Sequence, residues 1–118
     1  MQISNVLAGV AVRDLDASRR WYEVFFGRPA DAEPMGGLAE WRTPGGVVQL
    51  VVDEQRAGGS LVTVWVEDAR RGLADLAARG GPEVTLDDTT SDKVLFATLN
   101  DDDGNAITVV QVREGATL

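Results

Sequence analysis

The residues of this chain that could do chemistry are carboxylates, amides and hydroxyls, because its 118 residues include neither histidine nor cysteine. This composition excludes a histidine-dependent catalytic triad, an imidazole general base and a thiolate nucleophile. It also removes the ligands from which most zinc sites are built. A metal site here would have to consist of oxygen ligands alone, which favours hard cations.

The densest group of carboxylates is the segment Asp101–Asp103, which is followed by Gly104 and Asn105. A calcium-binding EF-hand loop needs acidic residues at positions 1, 3 and 5, glycine at 6 and glutamate at 12. With Gly104 at position 6, Leu99 falls at position 1 and Val110 at position 12. The pattern therefore fails, and the segment is predicted to be a solvated turn.

Neither a serine nucleophile nor a phosphate-binding loop is indicated. The serines have no histidine that could activate them. Paired glycines occur at 36–37, 45–46, 58–59 and 80–81. None of these pairs belongs to a G-x-G-x-x-G or Walker-type motif, so turns and helix ends explain them.

The net charge of the chain limits the classes of partner that it can bind. Eleven basic and 19 acidic residues give a net charge of −8 at pH 7, which would repel phosphates, so nucleic-acid binding is not expected. The sequence contains no apolar run of about 18 residues, so no membrane span is expected. The N-terminus lacks the basic and apolar regions of a signal peptide, and a cytoplasmic protein is expected. The acidity suits a cationic ligand, although only weakly.

The segment 10–26 organises the first half of the chain. It predicts the end of a strand, a turn capped by Asp14 or Asp16, and an amphipathic helix that Gly27 ends. A weaker copy of this pattern begins at Val64, where Asp68 corresponds to Asp14. The chain therefore contains an internal repeat.

Glycine-bounded, β-branched segments follow each predicted helix and predict further strands, including 38–43, 47–52, 83–86, 92–99 and 106–112. A polar linker, 54–59, separates the halves. We predict an α+β fold in a single domain, 1–118, with repeats at 1–55 and 60–113. Each repeat is a βαβββ module, and the tandem modules form a curved mixed sheet of roughly eight strands around a cavity.

The sequence resembles the vicinal oxygen chelate superfamily, which includes glyoxalase I, extradiol dioxygenases and bleomycin resistance proteins. The resemblance lies in the strand-to-helix segment 12–18 followed by Trp21-Tyr22, and in the turn 101–105, and it spans nearly the whole chain. It implies the glyoxalase/bleomycin resistance fold and a homodimer.

The resemblance also implies four strand positions that bind one divalent ion in the metal-using members. Those positions here carry Leu7, Gln49, Leu61 and Thr108. Two are alkyl, and no carboxylate balances the charge of a dication. We therefore predict neither a metal site nor another cofactor.

What remains is a cavity lined by residues that share the strand parity of those positions. Such an apolar lining with a few neutral polar groups is typical of a small-molecule site. Glu40 and Glu67 alternate with apolar residues and are expected to face outward. The predicted ligand-binding residues are Leu7, Gly9, Trp41, Gln49, Leu61, Thr63, Trp65, Phe96, Thr108 and Val110.

Three functions remain open at this point. The first is a metal-free binding protein of the bleomycin-resistance type, which would sequester an antibiotic or an aromatic metabolite. The second is a metal-independent isomerase, cyclase or lyase that uses Gln49, Thr63 and Thr108 as polarising groups. The third is a non-catalytic dimeric interaction domain whose cavity its own side chains fill.

Overall fold

In a computed structural model, which describes residues 1–117, the chain forms two modules with the same order of elements. Each module contains a strand, a helix and an antiparallel pair of strands. The first comprises β1 (Leu7–Val12), α1 (Leu15–Phe26), β2 (Leu38–Thr43) and β3 (Gly46–Val52). The second comprises β4 (Leu61–Trp65), α2 (Ala69–Ala78), β5 (Val94–Asn100) and β6 (Ala106–Val112).

Each module forms a mixed three-stranded sheet. The strand order is β1-β3-β2 in the first and β4-β6-β5 in the second. In both sheets the last strand of the module lies in the centre and is parallel to the first strand of the module. The predicted α+β class and its two helices are confirmed.

The prediction of eight strands is too high, since the described residues form six. The additional strand of each module is reduced to one isolated bridge, Ala32 with Glu40 and Asp87 with Phe96. The predicted strand 83–86 does not form. The carboxylate of Asp87 accepts hydrogen bonds from the backbone N–H groups of Thr89 and Thr90, which bends the chain away after a single paired residue.

Local signals in the sequence fix both ends of α1. Asp14 is the N-cap, and its carboxylate accepts a hydrogen bond from Ala17 N at 3.1 Å. Gly27 ends the helix in the left-handed conformation, with φ of 75°, which favours glycine. The guanidinium of Arg79, from the other module, donates hydrogen bonds to the carbonyl oxygens of Val24 and Phe25, each at 2.9 Å. These bonds satisfy carbonyl groups that the last turn of a helix leaves free.

Both helices cover the same face of the sheets. Val10, Val12 and Leu50 are fully buried beneath α1, and Leu99 and Val109 pack against α2 in a second cluster. The molecule is flat, measuring 42 × 40 × 25 Å, as expected for one helix layer on one sheet layer. The opposite face of the sheets is left uncovered by helices. Neither helix of the described chain is long and apolar enough to cross a bilayer.

Asn105 joins the two modules. It is fully buried, and its Oδ1 accepts hydrogen bonds from Gly58 N at 3.0 Å and Ser60 N at 2.9 Å. Its Nδ2 donates to the carbonyl oxygen of Ala11 at 2.8 Å and to Asp101 Oδ2 at 2.9 Å. One amide side chain thus connects β1, the linker and the turn before β6.

Asp101 extends this network to α1. Its Oδ2 accepts a hydrogen bond from the hydroxyl of Tyr22 at 2.7 Å, and its Oδ1 accepts from Asp103 N and Asn105 N. Burial and the bond to Asp101 together raise the pKa of Tyr22 far above its ordinary value, so this hydroxyl stays protonated. The segment is a turn as predicted, but the prediction that it is solvated is wrong at Asp101, because its carboxylate organises the junction.

Candidate functional site

The face of the sheets opposite the helices, which we call the open face, gathers all but one of the predicted site residues. Register pairs Gly9 with Gln49 in the first sheet, and Thr63 with Thr108 in the second. Because side chains alternate along a strand, residues of the same parity share this face. On the first sheet these are Leu7, Gly9 and Gln49, and on the second they are Leu61, Thr63, Trp65, Phe96, Thr108 and Val110.

The open face is not filled by the side chains of the described residues. Leu61 is 78% exposed, Trp65 66% and Leu7 47%. A single exposed apolar side chain is ordinary, but several that share one face form an apolar patch, and such patches mark interaction or ligand-binding surfaces.

Trp41 is the exception, and its predicted placement is wrong. It is fully buried on the helix-covered face, where its ring stacks on Phe26 at 5.2 Å and its Nε1 donates a hydrogen bond to the carbonyl oxygen of Arg28 at 3.0 Å. The register pairs Trp41 with Val48, which has the opposite parity to Gln49. Trp41 is therefore a core residue.

Glu40 takes the place that the prediction gave to Trp41. It pairs with Gln49 across β2 and β3, lies on the open face, and is only 8% exposed. Its predicted outward orientation is wrong. The signal that could have located it is the two-residue turn between Thr43 and Gly46, which fixes the register of the hairpin.

Glu40 and Gln49 form the best-defined polar pair of the open face. Gln49 Nε2 donates a hydrogen bond to Glu40 Oε2 at 2.7 Å. Arg42 Nη2 lies 3.6 Å from Glu40 Oε1, beyond hydrogen-bond distance, and the Arg42 side chain is 61% exposed. The first sheet thus presents a carboxylate and an amide from neighbouring strands.

The second sheet presents hydroxyls and aromatic rings. The hydroxyl groups of Thr98 and Thr108 lie 2.9 Å apart and share a hydrogen bond. Trp65 and Phe96 are both aligned with Val110 in the register. This half of the open face can contact a planar apolar group and offer it neutral hydrogen-bonding partners.

A cavity of about 570 Å³ opens above the carboxyl ends of β1 and β3. Gly9, Ala11 and Val51, all of the open face, contribute to it together with the linker. At its rim Arg56 Nη1 lies 2.6 Å from Asp53 Oδ2, so these two charges compensate each other. The residues of the linker and its two flanking positions that line the cavity are Asp53, Gln55, Arg56, Ala57, Gly59 and Ser60.

A second cavity, of about 890 Å³, lies mainly on the helix side of the sheets. Phe25, Val62, Leu73 and Val109 are among its apolar walls, and Gly72 of α2 also lines it. Most of the predicted site residues lie outside it, although Thr63 and Trp65 reach it from the edge of β4.

The residues at the family's metal positions do not suit a divalent ion. Leu7 and Leu61 are alkyl, and the hydroxyl of Thr108 is already paired with Thr98. The amide of Gln49 is directed at Glu40. Among residues 1–117, no three acidic side chains converge where they could hold an ion. This donor set lacks both the charge and the number of ligands that a divalent ion requires.

No protein-family model and no curated protein sequence matches the chain. Solved structures match it closely. A glyoxalase/bleomycin resistance protein from Catenulispora acidiphila DSM 44928 is 31% identical with a TM-score of 0.83, and the match covers 92% of this chain and 98% of that one.

Two further structures share the fold at lower identity. A glyoxalase/bleomycin resistance protein from Albidiferax ferrireducens T118 is 20% identical with a TM-score of 0.68, covering 89% of this chain and 96% of its own. A glyoxalase family protein from Bacillus anthracis is 16% identical with a TM-score of 0.74, covering 96% and 98%. The identity and coverage of the Catenulispora match, together with the repeated modules, show that the chain belongs to the glyoxalase/bleomycin resistance protein family, within the vicinal oxygen chelate superfamily.

Proposed function

We propose that this protein is a metal-independent small-molecule binding protein that sequesters an antibiotic or an aromatic metabolite on the open face. The observation that carries the proposal is the lining of that face. It places exposed Leu61 and Trp65 on either side of Thr63 in the second sheet, and the amide of Gln49 on the first sheet. Such a surface binds an apolar body and orients it through a few polar contacts.

The donor set supports metal independence. Two alkyl side chains at family ligand positions leave a divalent ion with too few oxygens and no carboxylate among those four residues. Elemental analysis of protein purified without chelators tests this point. A stoichiometric transition metal would overturn it.

We propose that a second copy of the chain closes over the open face, so that the ligand lies between the two copies. Leu7, Leu61 and Trp65 would otherwise remain in water, at an apolar cost of about 25 cal/mol for each Å². Replacing Trp65 with aspartate is expected to convert a dimer to a monomer in sedimentation equilibrium. Met35→Asp is the matched control, because Met35 is 65% exposed in the loop between α1 and β2 and is not a strand residue. A wild-type monomer would refute this part of the proposal.

Two glycines allow the binding face to be tested without damage to the core. A Cβ added to Gly9, on the open face, meets no heavy atom within 4 Å, and the same is true of Gly72, in the second cavity. Gly9→Val should therefore obstruct the open face, and Gly72→Leu the second cavity. Gly36→Ala is the control, since Gly36 lines neither cavity and also has open space around it.

The assay is a panel of aromatic and cationic compounds, with melting temperature and tryptophan fluorescence as readouts. Compounds that raise the melting temperature of the wild type should lose that effect in Gly9→Val and retain it in Gly72→Leu and Gly36→Ala. Loss in Gly72→Leu alone would move the site to the other face. A panel without any effect on the wild type would contradict the proposed function.

One observation supports a second candidate function, a metal-independent isomerase, cyclase or lyase. The Glu40–Gln49 pair places a carboxylate, the side chain needed for proton transfer, on the open face. Turnover of a substrate by metal-stripped protein would favour this function. Its loss in Glu40→Gln, with the melting temperature retained, would assign the base.

A further inference from the structure

We infer that the ligand carries a protonated amine or amidine, which Glu40 and Gln49 bind over Gly9. The inference rests on the proposed function, because it names the chemical class that the same open face would recognise.

The carboxylate of Glu40 has acceptor capacity that the protein does not use. Its side chain is 11% exposed, and within residues 1–117 this side chain has one hydrogen bond, which Gln49 donates to Oε2. Oε1 has only the 3.6 Å approach of the largely exposed Arg42. A carboxylate accepts about four hydrogen bonds, so Oε1 can accept from a bound ligand.

The amide of Gln49 adds a second acceptor. An ionised carboxylate only accepts hydrogen bonds, so the NH₂ group of Gln49 must face Glu40. The carbonyl oxygen of Gln49 accepts no hydrogen bond from another group within residues 1–117, and the described chain contains no buried side-chain oxygen without a partner. This oxygen is therefore accessible at the surface. Two neighbouring acceptors, one of them anionic, match a cation with several N–H groups.

Gly9 provides the space for such a group. It lies directly opposite Gln49 in the register, and a Cβ at this position would meet nothing within 4 Å. Gly9 also lines the cavity of about 570 Å³, with Ala11 and Val51 beside it. A cationic head group next to Gln49 would therefore extend an apolar body into this cavity.

The surrounding charge favours a cation over an anion or a neutral group. The net charge of the chain is −8, and Arg56 at the cavity rim is compensated by Asp53. An anion would face the carboxylate of Glu40. A neutral ligand would cover this carboxylate and leave only the largely exposed Arg42, 3.6 Å away, to balance it, which carries a desolvation cost.

Benzamidine and benzamide are the probes, because they have nearly the same shape and differ in charge at neutral pH. Binding is followed by backbone amide chemical shifts during titration to millimolar concentrations. We expect benzamidine to bind the wild type about tenfold more tightly than benzamide, as one charge-assisted hydrogen bond provides, and to shift the amides of Gly9 and Gln49.

Three variants separate recognition from structure. Glu40→Gln should weaken benzamidine about tenfold and leave benzamide unchanged, whereas Glu83→Gln, at an exposed site in the second module, should change neither. Arg42→Gln should strengthen benzamidine binding up to several-fold, because it removes the cation that competes for Glu40. A merely structural Glu40 would not produce this gain. If Glu40→Gln lowers the melting temperature, two variants test the site with Glu40 and Gln49 in place. Arg42→Gln should strengthen benzamidine binding and leave benzamide unchanged, and Gly9→Val should weaken benzamidine binding by filling the space beside Gln49.

Equal affinity for the two probes, or benzamidine binding that Glu40→Gln leaves intact, would overturn the inference and leave the proposed function standing. Absence of shifts on the open face with either probe would also overturn it. The proposed function fails only if the wider compound panel is without effect on the wild type as well.

Discussion

Replacement of Asn105 with alanine removes the side chain that ties the two modules together. Asn105 is fully buried, and its side chain makes four hydrogen bonds, accepting from Gly58 N and Ser60 N and donating to Ala11 O and Asp101 Oδ2. A hydrogen bond contributes about 1 kcal/mol net, and an orphaned buried partner costs more. Because Gly58 and Ser60 are only half-buried, water can reach part of the vacated site. We therefore expect a loss of about 3–4 kcal/mol.

The free energy of unfolding would be measured by urea denaturation followed through tryptophan fluorescence. A loss of this size is a large part of the stability of a typical domain, about 5–15 kcal/mol, and should be evident in the denaturation midpoint. Asn100→Ala is the matched control, since Asn100 is exposed at the other end of the same turn. It should change stability by less than about 0.5 kcal/mol.

Asn105→Asp tests the two hydrogen bonds that the amide NH₂ group donates. It keeps the shape of the side chain but replaces the amide donor with an oxygen that faces Asp101 and Ala11 O. The variant should be at least as unstable as Asn105→Ala at neutral pH, because it places two carboxylates together. If Asn105→Ala unfolds within about 1 kcal/mol of Asn100→Ala, the assignment of Asn105 as the junction is refuted.

Three further predictions concern other parts of the fold. Arg79→Ala should lower the free energy of unfolding by about 1–2 kcal/mol, because the carbonyl groups of Val24 and Phe25 lose their hydrogen bonds. Hydrogen exchange should also accelerate at the end of α1. Arg71→Ala, on the exposed side of α2, is the control and should change neither quantity. Trp41→Ala should lower the free energy of unfolding by about 3–5 kcal/mol, because it truncates a fully buried side chain. Trp41→Phe should be less damaging in thermal denaturation, and equal losses for the two variants would contradict the packing role of Trp41. Hydrogen bonds from the side chains of Arg28, Arg56 and Thr90 lower the pKa values of Asp31, Asp53 and Asp87, respectively. These ionised carboxylates therefore contribute to the free energy of unfolding above the ordinary aspartate pKa, and the contribution is lost as pH falls below about 4. Asp87→Asn should therefore flatten the acid limb of a stability-against-pH curve more than Asp92→Asn in the same loop, and identical limbs would argue against the assignment.

Much of the architecture could be predicted because its signals are local. Asp14 and Gly27 bound α1 through their own conformational preferences, and the strand-to-helix pattern at segment 10–26 returns at Val64 in the second module. The parity of the family's ligand positions also placed Gln49 and Thr108 correctly on one face, because alternation along a strand is a property of the chain itself.

Trp41 and Glu40 have the opposite orientations to those predicted, and the pattern of residue types along the strand could not have decided between them. Both residues alternate along β2, so the sequence pattern allows either one to face the helices. The choice is made by the hairpin register, which pairs Glu40 with Gln49, and by the space beneath α1 that an indole fills. The capacity of an indole to stack on a planar ligand favours Trp41 on the binding face, whereas packing against Phe26 places it in the core.

The sequence by itself determined the repeated modules, the caps of α1 and the absence of an imidazole or thiolate site, since each depends on residue type and near neighbours. Only the tertiary structure decided what the Asp-rich turn does. Its polarity suggested exposure to solvent, yet Asp101 and Asn105 find hydrogen-bonding partners on Tyr22, Ala11 and Ser60, which are distant in the sequence. A buried polar group is stable only where such partners converge, and that convergence is a property of the folded chain.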